Sequence, residues 1–204
     1  HMDDGKQYTP LSSQNISILE VGANAKAFAK FLEFLDIKTL IITDIDTTYQ
    51  KESDTGKNVY PACSVDDGGY TSNATIRYFL ESPEEFSDKN WQEWFKELLK
   101  NSLESKHENI KIAYQTKEND YHARSFEDAF ISLNIDKIKE QSNVLRGLKK
   151  KSELDSNTKM YDLTNEILDK KSDFAASLLF LALSNDVQWK TPLYIKEGLK
   201  WMTD

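Results

Sequence analysis

The segment Lys38–Thr48, KTLIITDIDTT, constrains the fold more than any other stretch of the chain. Its apolar run Leu40–Ile42 is typical of a strand buried on both faces, as the strands of parallel sheets are. The strand ends on two carboxylates, Asp44 and Asp46, with a single residue between them. Because sites in open parallel sheets lie beyond the carboxyl ends of the strands, the segment predicts a functional site at its own end.

The residues before this segment predict a strand–helix–strand unit. Ile16–Val21 is a short apolar run that predicts a first buried strand. From Asn24 the apolar residues change to helical spacing: Ala27, Phe28, Phe31, Leu32 and Leu35. Together with the strand Lys38–Asp44 they predict a βαβ unit whose two strands run parallel. Glu20, near the end of the first strand, would then join the two aspartates at one edge of the sheet.

The rest of the chain predicts helices and one more strand. Asn109–Tyr114 alternates apolar and polar residues, which predicts a third strand, whereas the polar stretch Tyr49–Gly69 predicts a loop. The remaining helices are expected at Ser72–Leu80, Glu84–Leu103, Ala123–Asn134, Lys137–Lys151, Asp173–Leu183 and from Pro192 onward. These elements predict an α/β fold with a mainly parallel sheet flanked by helices and with additional C-terminal helices.

The composition limits the classes of protein that fit the chain. Acidic residues outnumber basic ones by 34 to 26 among 204 residues, which gives a net charge of −8. This excess argues against a broad basic face for nucleic acid and leaves room for a local groove bridged by metal ions. Cys63 is the single cysteine, and no apolar run approaches the about 20 residues of a membrane span. We therefore expect a cytoplasmic protein with no membrane partner.

The N-terminal residues predict a linker. His1 and Met2 are typical of a vector remnant, and residues 3–14 are polar without periodicity. We therefore assign residues 1–14 to vector residue and linker, and residues 15–204 to one domain. Within it, 15–48 would form the βαβ metal-binding core, 49–108 a loop and helical insertion, and 109–204 the third strand and the C-terminal helices.

The paired aspartates need something to balance their charge. Two unit charges about 4 Å apart repel by about 4 kcal/mol at an effective dielectric constant near 20. A fold holds such a cluster when a cation neutralises it or when one group keeps its proton. Carboxylate oxygens at a sheet edge suit Mg²⁺ or Mn²⁺. The alternative is that both are ordinary loop carboxylates that keep a strand end soluble.

Several segments, taken in order, resemble a known family. ILEVGANAKAF followed by TLIITDID is similar to the opening of a Toprim domain, the metal-dependent fold of topoisomerases, primases and some nucleases. The later segments YTSNATIRYFL, IAYQ, RSFEDAFI, KKSDFA and YIKEGLKWM resemble the C-terminal Toprim region of OLD-family (overcoming lysogenization defect) ATP-dependent endonucleases. The resemblance runs from about Asn15 to the end of the chain, so it covers nearly all of it.

This resemblance implies an endonuclease that hydrolyses phosphodiester bonds in DNA with two divalent ions, Mg²⁺ or Mn²⁺. By position, it implies Glu20 as a metal ligand or water-activating base, and Asp44 and Asp46 as metal ligands. Glu127, with Ser125 beside it, is implied at the second metal.

The resemblance also implies a catalytic lysine and partners for the domain. Lys171 would face the charge that builds on the scissile phosphate, with Lys170 as the alternative one residue away. The family implies an N-terminal ABC-type ATPase domain outside this sequence, ATP dependence, a homo-oligomer, and a role in bacterial or phage defence. The chain departs from the pattern where Val21 separates Glu20 from Gly22, and at Asn24, where some relatives have an acidic residue.

Two other functions fit parts of the sequence. LIITDIDTT also matches the DxDxT signature of haloacid dehalogenase phosphatases, with Asp44 as nucleophile and Asp46 as general acid. That family needs an acidic pair late in the chain, and the pair Asp66-Asp67 comes too early. In the third interpretation, the chain is a non-catalytic Toprim docking domain whose metal site has decayed, in keeping with Asn24.

Overall fold

A computed structural model describes residues 10–156, 158–184 and 187–203 of the chain. These residues form two compact units, and the chain passes between them more than once. Unit 1 contains the described residues of 10–43, 72–114 and 193–203, and unit 2 those of 44–71 and 115–192.

Strands and helices are each numbered in chain order. The strands are β1 (Thr39–Ile42), β2 (Thr47–Thr48), β3 (Lys51–Glu52), β4 (Asn58–Val59), β5 (Tyr70–Thr71), β6 (Ile110–Ala113), β7 (Lys117–Glu118) and β8 (Tyr121–His122). The α-helices are α1 (Ala29–Leu35), α2 (Ala74–Phe79), α3 (Trp91–Leu99), α4 (Phe126–Glu140), α5 (Met160–Ile167), α6 (Lys171–Leu183) and α7 (Leu193–Thr203). Short 3₁₀ segments lie at Leu11–Ser13, Gly22–Phe28 and Lys151–Asp155.

Unit 1 is built on a parallel pair of strands. β1 and β6 run parallel with Ile41 opposite Ile112, and α7 packs on both strands. Gly198 of α7 permits this close packing, because a Cβ there would lie 2.9 Å from Leu40 Cδ1 and 3.2 Å from Ala113 Cβ. The α/β fold class, with a parallel sheet flanked by helices, is therefore confirmed.

The helices of unit 1 agree with the sequence patterns. Asn73 caps α2, since its Oδ1 accepts hydrogen bonds from the backbone N–H groups of Thr75 and Ile76. Trp91 and Trp94 of α3 are buried, and Trp94 Nε1 donates to the carbonyl of Leu80 at 2.8 Å. Both tryptophans are therefore core residues of unit 1.

The prediction of a first strand at Ile16–Val21 is wrong. This segment lies within the described residues and has no regular structure. Its apolar side chains do not reach a core, because Ile18 is 87% exposed and Leu19 is 69% exposed. An apolar run becomes a buried strand only where a neighbouring strand completes its hydrogen bonds, and β1 takes β6 as its parallel neighbour. The predicted βαβ core at 15–48 is therefore missing its first strand, although the helix and β1 form.

Unit 2 packs α4, α5 and α6 around one apolar core. Its buried members are Phe130, Ile131, Ile138, Leu145, Leu154, Leu163, Ile167, Phe174, Leu178, Leu181 and Val187. The strands of this unit form short antiparallel pairs, namely β2 with β5, β3 with β4 and β7 with β8. The β3–β4 hairpin lies inside the stretch predicted as a plain loop, so that prediction is wrong in this part.

The charged stretch Lys137–Lys151 is not the single helix that its composition predicts. Only its first residues belong to a helix, because α4 ends at Glu140. Leu145 then turns into the core of unit 2, and the chain adopts a positive φ at Gly147. The stretch is therefore only partly helical, and two of its apolar side chains, Ile138 and Leu145, are buried in the core of unit 2.

Among the described residues, no helix combines the length and the apolar character that crossing a bilayer requires.

Candidate functional site

Asp44 is held by two hydrogen-bond donors within unit 2. It follows β1 by two residues, and Gln115 follows β6 by the same interval. Asp44 Oδ1 accepts from Gln115 Nε2 at 2.8 Å and from the backbone N–H of Phe126 at 2.8 Å. The amide oxygen of Gln115 accepts in turn from the N–H of Ile45 at 2.7 Å. Gln115 is fully buried, so this amide fixes both the carboxylate and the backbone next to it.

The environment of Asp44 favours its neutral form. Burial is the largest cause that raises the pKa of this carboxyl above its ordinary value, and the hydrogen bonds from Gln115 and Phe126 oppose the rise. The negative charges of Asp46 and Glu127 raise the pKa further. Unit 2 therefore brings together three carboxylates that sequence analysis proposed as metal ligands, and they repel one another.

Asp46 sits at a strained turn and pairs with an arginine. Its φ is +49°, a left-handed conformation that aspartate adopts more readily than most residues. Its carboxylate lies 3.1 Å from Arg124 Nη2, and its N–H donates to the carbonyl of Arg124 at 3.3 Å. Arg124 Nε donates to the carbonyl of Thr47 at 3.0 Å. One arginine thus orients the carboxylate and the backbone of the DxD turn.

The start of α4 carries the second predicted pair of residues. Ser125 is the N-cap, and its Oγ accepts from the N–H of Asp128 at 3.3 Å. This cap places Glu127 in the first turn, where its carboxylate lies 3.0 Å from Lys171 Nζ. The Glu127 side chain is 16% exposed and that of Lys171 is 64% exposed. The contact favours Lys171 over Lys170 as the catalytic lysine, and the roles of both stay predictions.

Asp128 is a buried structural carboxylate that the sequence analysis did not single out. It accepts hydrogen bonds from the hydroxyl of Tyr121 at 2.8 Å, the N–H of Arg124 at 2.8 Å and the hydroxyl of Thr164 at 3.2 Å. Burial raises the pKa of its carboxyl. Because it holds the backbone of Arg124, it also positions the guanidinium that meets Asp46. The signal that could have found it is the helix-start pattern S-x-x-D from Ser125.

Gln115 and Arg124 were also missed as functional residues. Both stand inside segments that carried the family resemblance, IAYQ and RSFED. Neither type of residue indicates a positioning role by itself, because the side chain of Gln115 reaches Ile45 across 70 residues and that of Arg124 reaches Thr47 across 77.

Glu20 belongs to unit 1, whereas the residues described above belong to unit 2. It is exposed and lies in the irregular segment before the 3₁₀ segment Gly22–Phe28. Its predicted meeting with Asp44 and its role as metal ligand or base stay predictions.

The donor set fits a divalent metal in its chemistry. Asp44, Asp46 and Glu127 offer only carboxylate oxygens, which Mg²⁺ and Mn²⁺ prefer, and a divalent ion would relieve their mutual repulsion. Within the described residues of either unit, however, no three Asp, Glu, His or Cys side chains are arranged to hold one ion. Two of the three carboxylates pair with Arg124 and Lys171, so a metal ion would compete with these basic side chains.

Comparison of the sequence with known proteins tests the resemblance to the OLD family. Residues 4–46 match the family model described as Overcoming lysogenization defect protein-like, TOPRIM domain. The chain is also 33% identical, over 214 residues, to the endonuclease GajA of Bacillus cereus (strain HuB5-5). The resemblance to OLD-like Toprim proteins is confirmed.

The family model and the relative match different lengths of the chain. The family model includes Glu20, Asp44 and Asp46 but ends before Glu127 and Lys171. The match to the relative covers 99% of this chain and 29% of the length of that protein. The prediction that this stretch is the C-terminal part of a longer protein is not tested by either match. Comparison with solved structures returned no significant match.

Proposed function

We propose that this chain is the nuclease part of an OLD-family ATP-dependent endonuclease and that it hydrolyses phosphodiester bonds in DNA. One observation carries the proposal. The ion pair between Glu127 and Lys171 lies in the unit that also holds Asp44 and Asp46, and the negative charge of Glu127 acts on Asp44. Four residues chosen for nuclease chemistry, drawn from three separate parts of the sequence, therefore lie in one unit, which supports the proposal. The endonuclease name of the relative supports the same reaction.

The carboxylates Asp44, Asp46 and Glu127 would hold Mg²⁺ or Mn²⁺ in this proposal, with Glu20 as a further ligand or base. Two such ions supply a clamp that stabilises the attacking and leaving oxygens of an in-line displacement. Ser125 is proposed near the second ion, although its Oγ already accepts a hydrogen bond as the cap of α4.

The residues around the carboxylates would prepare the site for substrate. Gln115 orients Asp44, and Arg124 orients Asp46 and reduces the negative charge that repels a phosphate. The Lys171 side chain is 64% exposed, so its ammonium group is accessible to a phosphate oxygen that would replace Glu127 as its partner. A lysine held at that position stabilises charge that develops on the scissile phosphate.

The whole protein is proposed to contain more than this domain. The chain matches 29% of the length of the relative, which leaves room in that protein for an ATPase domain. We include in the proposal an N-terminal ABC-type ATPase, assembly into a homo-oligomer and a role in bacterial or phage defence, which rest on the family. A cytoplasmic location, expected from the single cysteine, is also included.

Cleavage of supercoiled plasmid with Mg²⁺ or Mn²⁺, against EDTA, tests the proposal. We expect Lys171→Ala to cut about 10²- to 10³-fold more slowly than the parent, the usual cost of removing one preorganised electrostatic group. Lys96→Ala is the matched control, because Lys96 is an exposed lysine on α3 of unit 1. Unchanged cutting by Lys171→Ala would remove Lys171 from the site.

Two further measurements separate the alternative functions. A small aryl phosphate that is hydrolysed while plasmid stays intact would favour the phosphatase. A folded parent protein that binds no Mn²⁺ by calorimetry and cuts no plasmid would favour the non-catalytic docking domain.

A further inference from the structure

A cavity of about 730 Å³ opens in unit 2 beside the start of α6. Its lining includes the loop of Arg146 and Gly147 and the residue Lys170, which directly precedes α6. We propose that this cavity is a subsite for the phosphate backbone of a nucleic-acid strand, next to the phosphate that faces Lys171. The inference rests on the proposed nuclease function and adds a place where substrate binds away from the scissile bond.

Backbone contacts fix the two sides of the cavity to each other. The carbonyl of Gly147 accepts from the N–H of Asp169 at 2.9 Å and from the N–H of Lys170 at 3.1 Å. Gly147 has a φ of +75°, and a Cβ there would lie 2.3 Å from the carbonyl oxygen of Lys170 and 2.6 Å from the nitrogen of Phe174. Only glycine permits this approach, so the backbones that carry Arg146 and Lys170 are held close together.

Two basic side chains of the lining have no acidic partner. Arg146 and Lys170 are exposed, and neither lies within 4 Å of a carboxylate in the part of the chain that the structure describes. The third basic residue of the lining, Lys151, donates instead to the carbonyl oxygens of Ser142 and Leu145. Two cations that face open space in a cavity are suited to an anion.

The acidic residues of the lining do not cancel this charge. Asp169 pairs with Lys149 at 3.4 Å, and Asp173 lies in the first turn of α6. The lining carries three basic residues, Arg146, Lys151 and Lys170, against these two acidic ones, which is a local excess of one positive charge. The whole chain carries −8, so this cavity is a positive site on an acidic protein.

The position of the cavity indicates a polymer with several phosphates. Lys170 lines the cavity, and the next residue, Lys171, contacts the proposed metal ligand Glu127. Because Lys170 and Lys171 are adjacent in the chain, with Cα atoms about 3.8 Å apart, a strand with one phosphate at Lys171 would pass close to the cavity that Lys170 and Arg146 line.

Binding of a fluorescein-labelled single-stranded oligonucleotide, followed by anisotropy in EDTA at several KCl concentrations, tests the subsite without cleavage. Arg146→Gln and Lys170→Gln should each weaken binding several-fold at low salt. Each should also reduce the slope of log affinity against log salt by about 0.7, the value for one lost phosphate contact on a single strand. Lys96→Gln, an exposed lysine of unit 1, should change neither quantity.

Three outcomes would overturn the subsite. The first is a parent protein that binds no oligonucleotide, and the second is Arg146→Gln and Lys170→Gln variants that keep the parent's affinity and salt slope. The third is a site for free phosphate. In that case inorganic phosphate would compete with the oligonucleotide for the parent but not for the variants, while the variants would bind DNA as the parent does. Circular dichroism confirms that the variants fold. Because plasmid cleavage is measured separately, a failed subsite and a failed nuclease proposal give different results.

Discussion

Replacement of Gln115 by glutamate tests how closely this residue is coupled to Asp44. Gln115 Nε2 donates to Asp44 Oδ1 at 2.8 Å, and the Gln115 amide oxygen accepts from the N–H of Ile45. In Gln115→Glu the acceptor for Ile45 remains, but a carboxylate oxygen replaces the donor that faces Asp44. Two full charges 2.8 Å apart at an effective dielectric constant near 20 would repel by about 6 kcal/mol. The folded variant should avoid this repulsion by keeping one proton between the two carboxylates.

The retained proton makes the stability of the variant depend on pH. In the unfolded chain both carboxyls lose their protons near their ordinary pKa values of about 4. Above about pH 5 the folded variant therefore binds one proton more than the unfolded chain does. Its free energy of unfolding should fall as pH rises, by up to about 1.4 kcal/mol per pH unit, until the shared proton is lost. At about pH 4 the variant should be nearly as stable as the parent.

Urea unfolding in EDTA from about pH 4 to pH 8 measures this dependence. Gln92→Glu is the control, because Gln92 is exposed on α3 and a glutamate there has water around it. The difference in unfolding free energy between Gln115→Glu and the parent should grow with pH, while that of the control stays flat. A flat difference for Gln115→Glu would refute the contact between Gln115 and the Asp44 carboxylate.

Two other variants test unit 2. Burial lowers the pKa of His122, whose Nε2 donates to the carbonyl of Gln115. Protonation of His122 therefore favours the unfolded chain. In urea unfolding experiments, the parent should lose stability relative to His122→Gln as the pH falls below about 6.5. A parent and variant with parallel pH profiles would contradict this. Gly147→Ala should lower the unfolding free energy by more than about 2 kcal/mol for two reasons. The new Cβ would clash with the backbone of Lys170, and alanine would have to adopt the positive φ of Gly147. The control Gly56→Ala, with a φ of +74° and a nearest atom at 3.8 Å, should cost about 1–2 kcal/mol, and equal losses at the two glycines would argue against the close approach.

The sequence predicts those parts of the fold that local periodicity determines. β1, β6 and most of the helices follow their apolar spacing, whereas α5 was not predicted and Lys137–Lys151 does not form one helix. The segment Ile16–Val21 has the composition of a strand but pairs with no strand of the described residues, and its Ile18 and Leu19 side chains are mostly exposed. No local pattern reveals whether a neighbouring strand exists, which is why the predicted βαβ unit was wrong.

In the candidate site, too, some residues could be predicted from the sequence and others could not. The charged residues Asp44, Asp46, Glu127 and Lys171 stand in segments that resemble the family, and unit 2 brings them together. The positioning residues were not found, since Gln115 reaches Ile45 across 70 residues. Hydrogen bonds over such separations depend on the tertiary fold and leave no periodic signal in the sequence.

A crystal structure with Mn²⁺, located by its anomalous scattering, tests the central proposal most directly. We predict Mn²⁺ ions at coordination distance, about 2.0–2.3 Å, from the carboxylates of Asp44, Asp46 and Glu127, with Arg124 and Lys171 moved from their present partners. Saturating Mn²⁺ that leaves no ion on any of these carboxylates, in a protein that still cuts plasmid, would contradict the proposal.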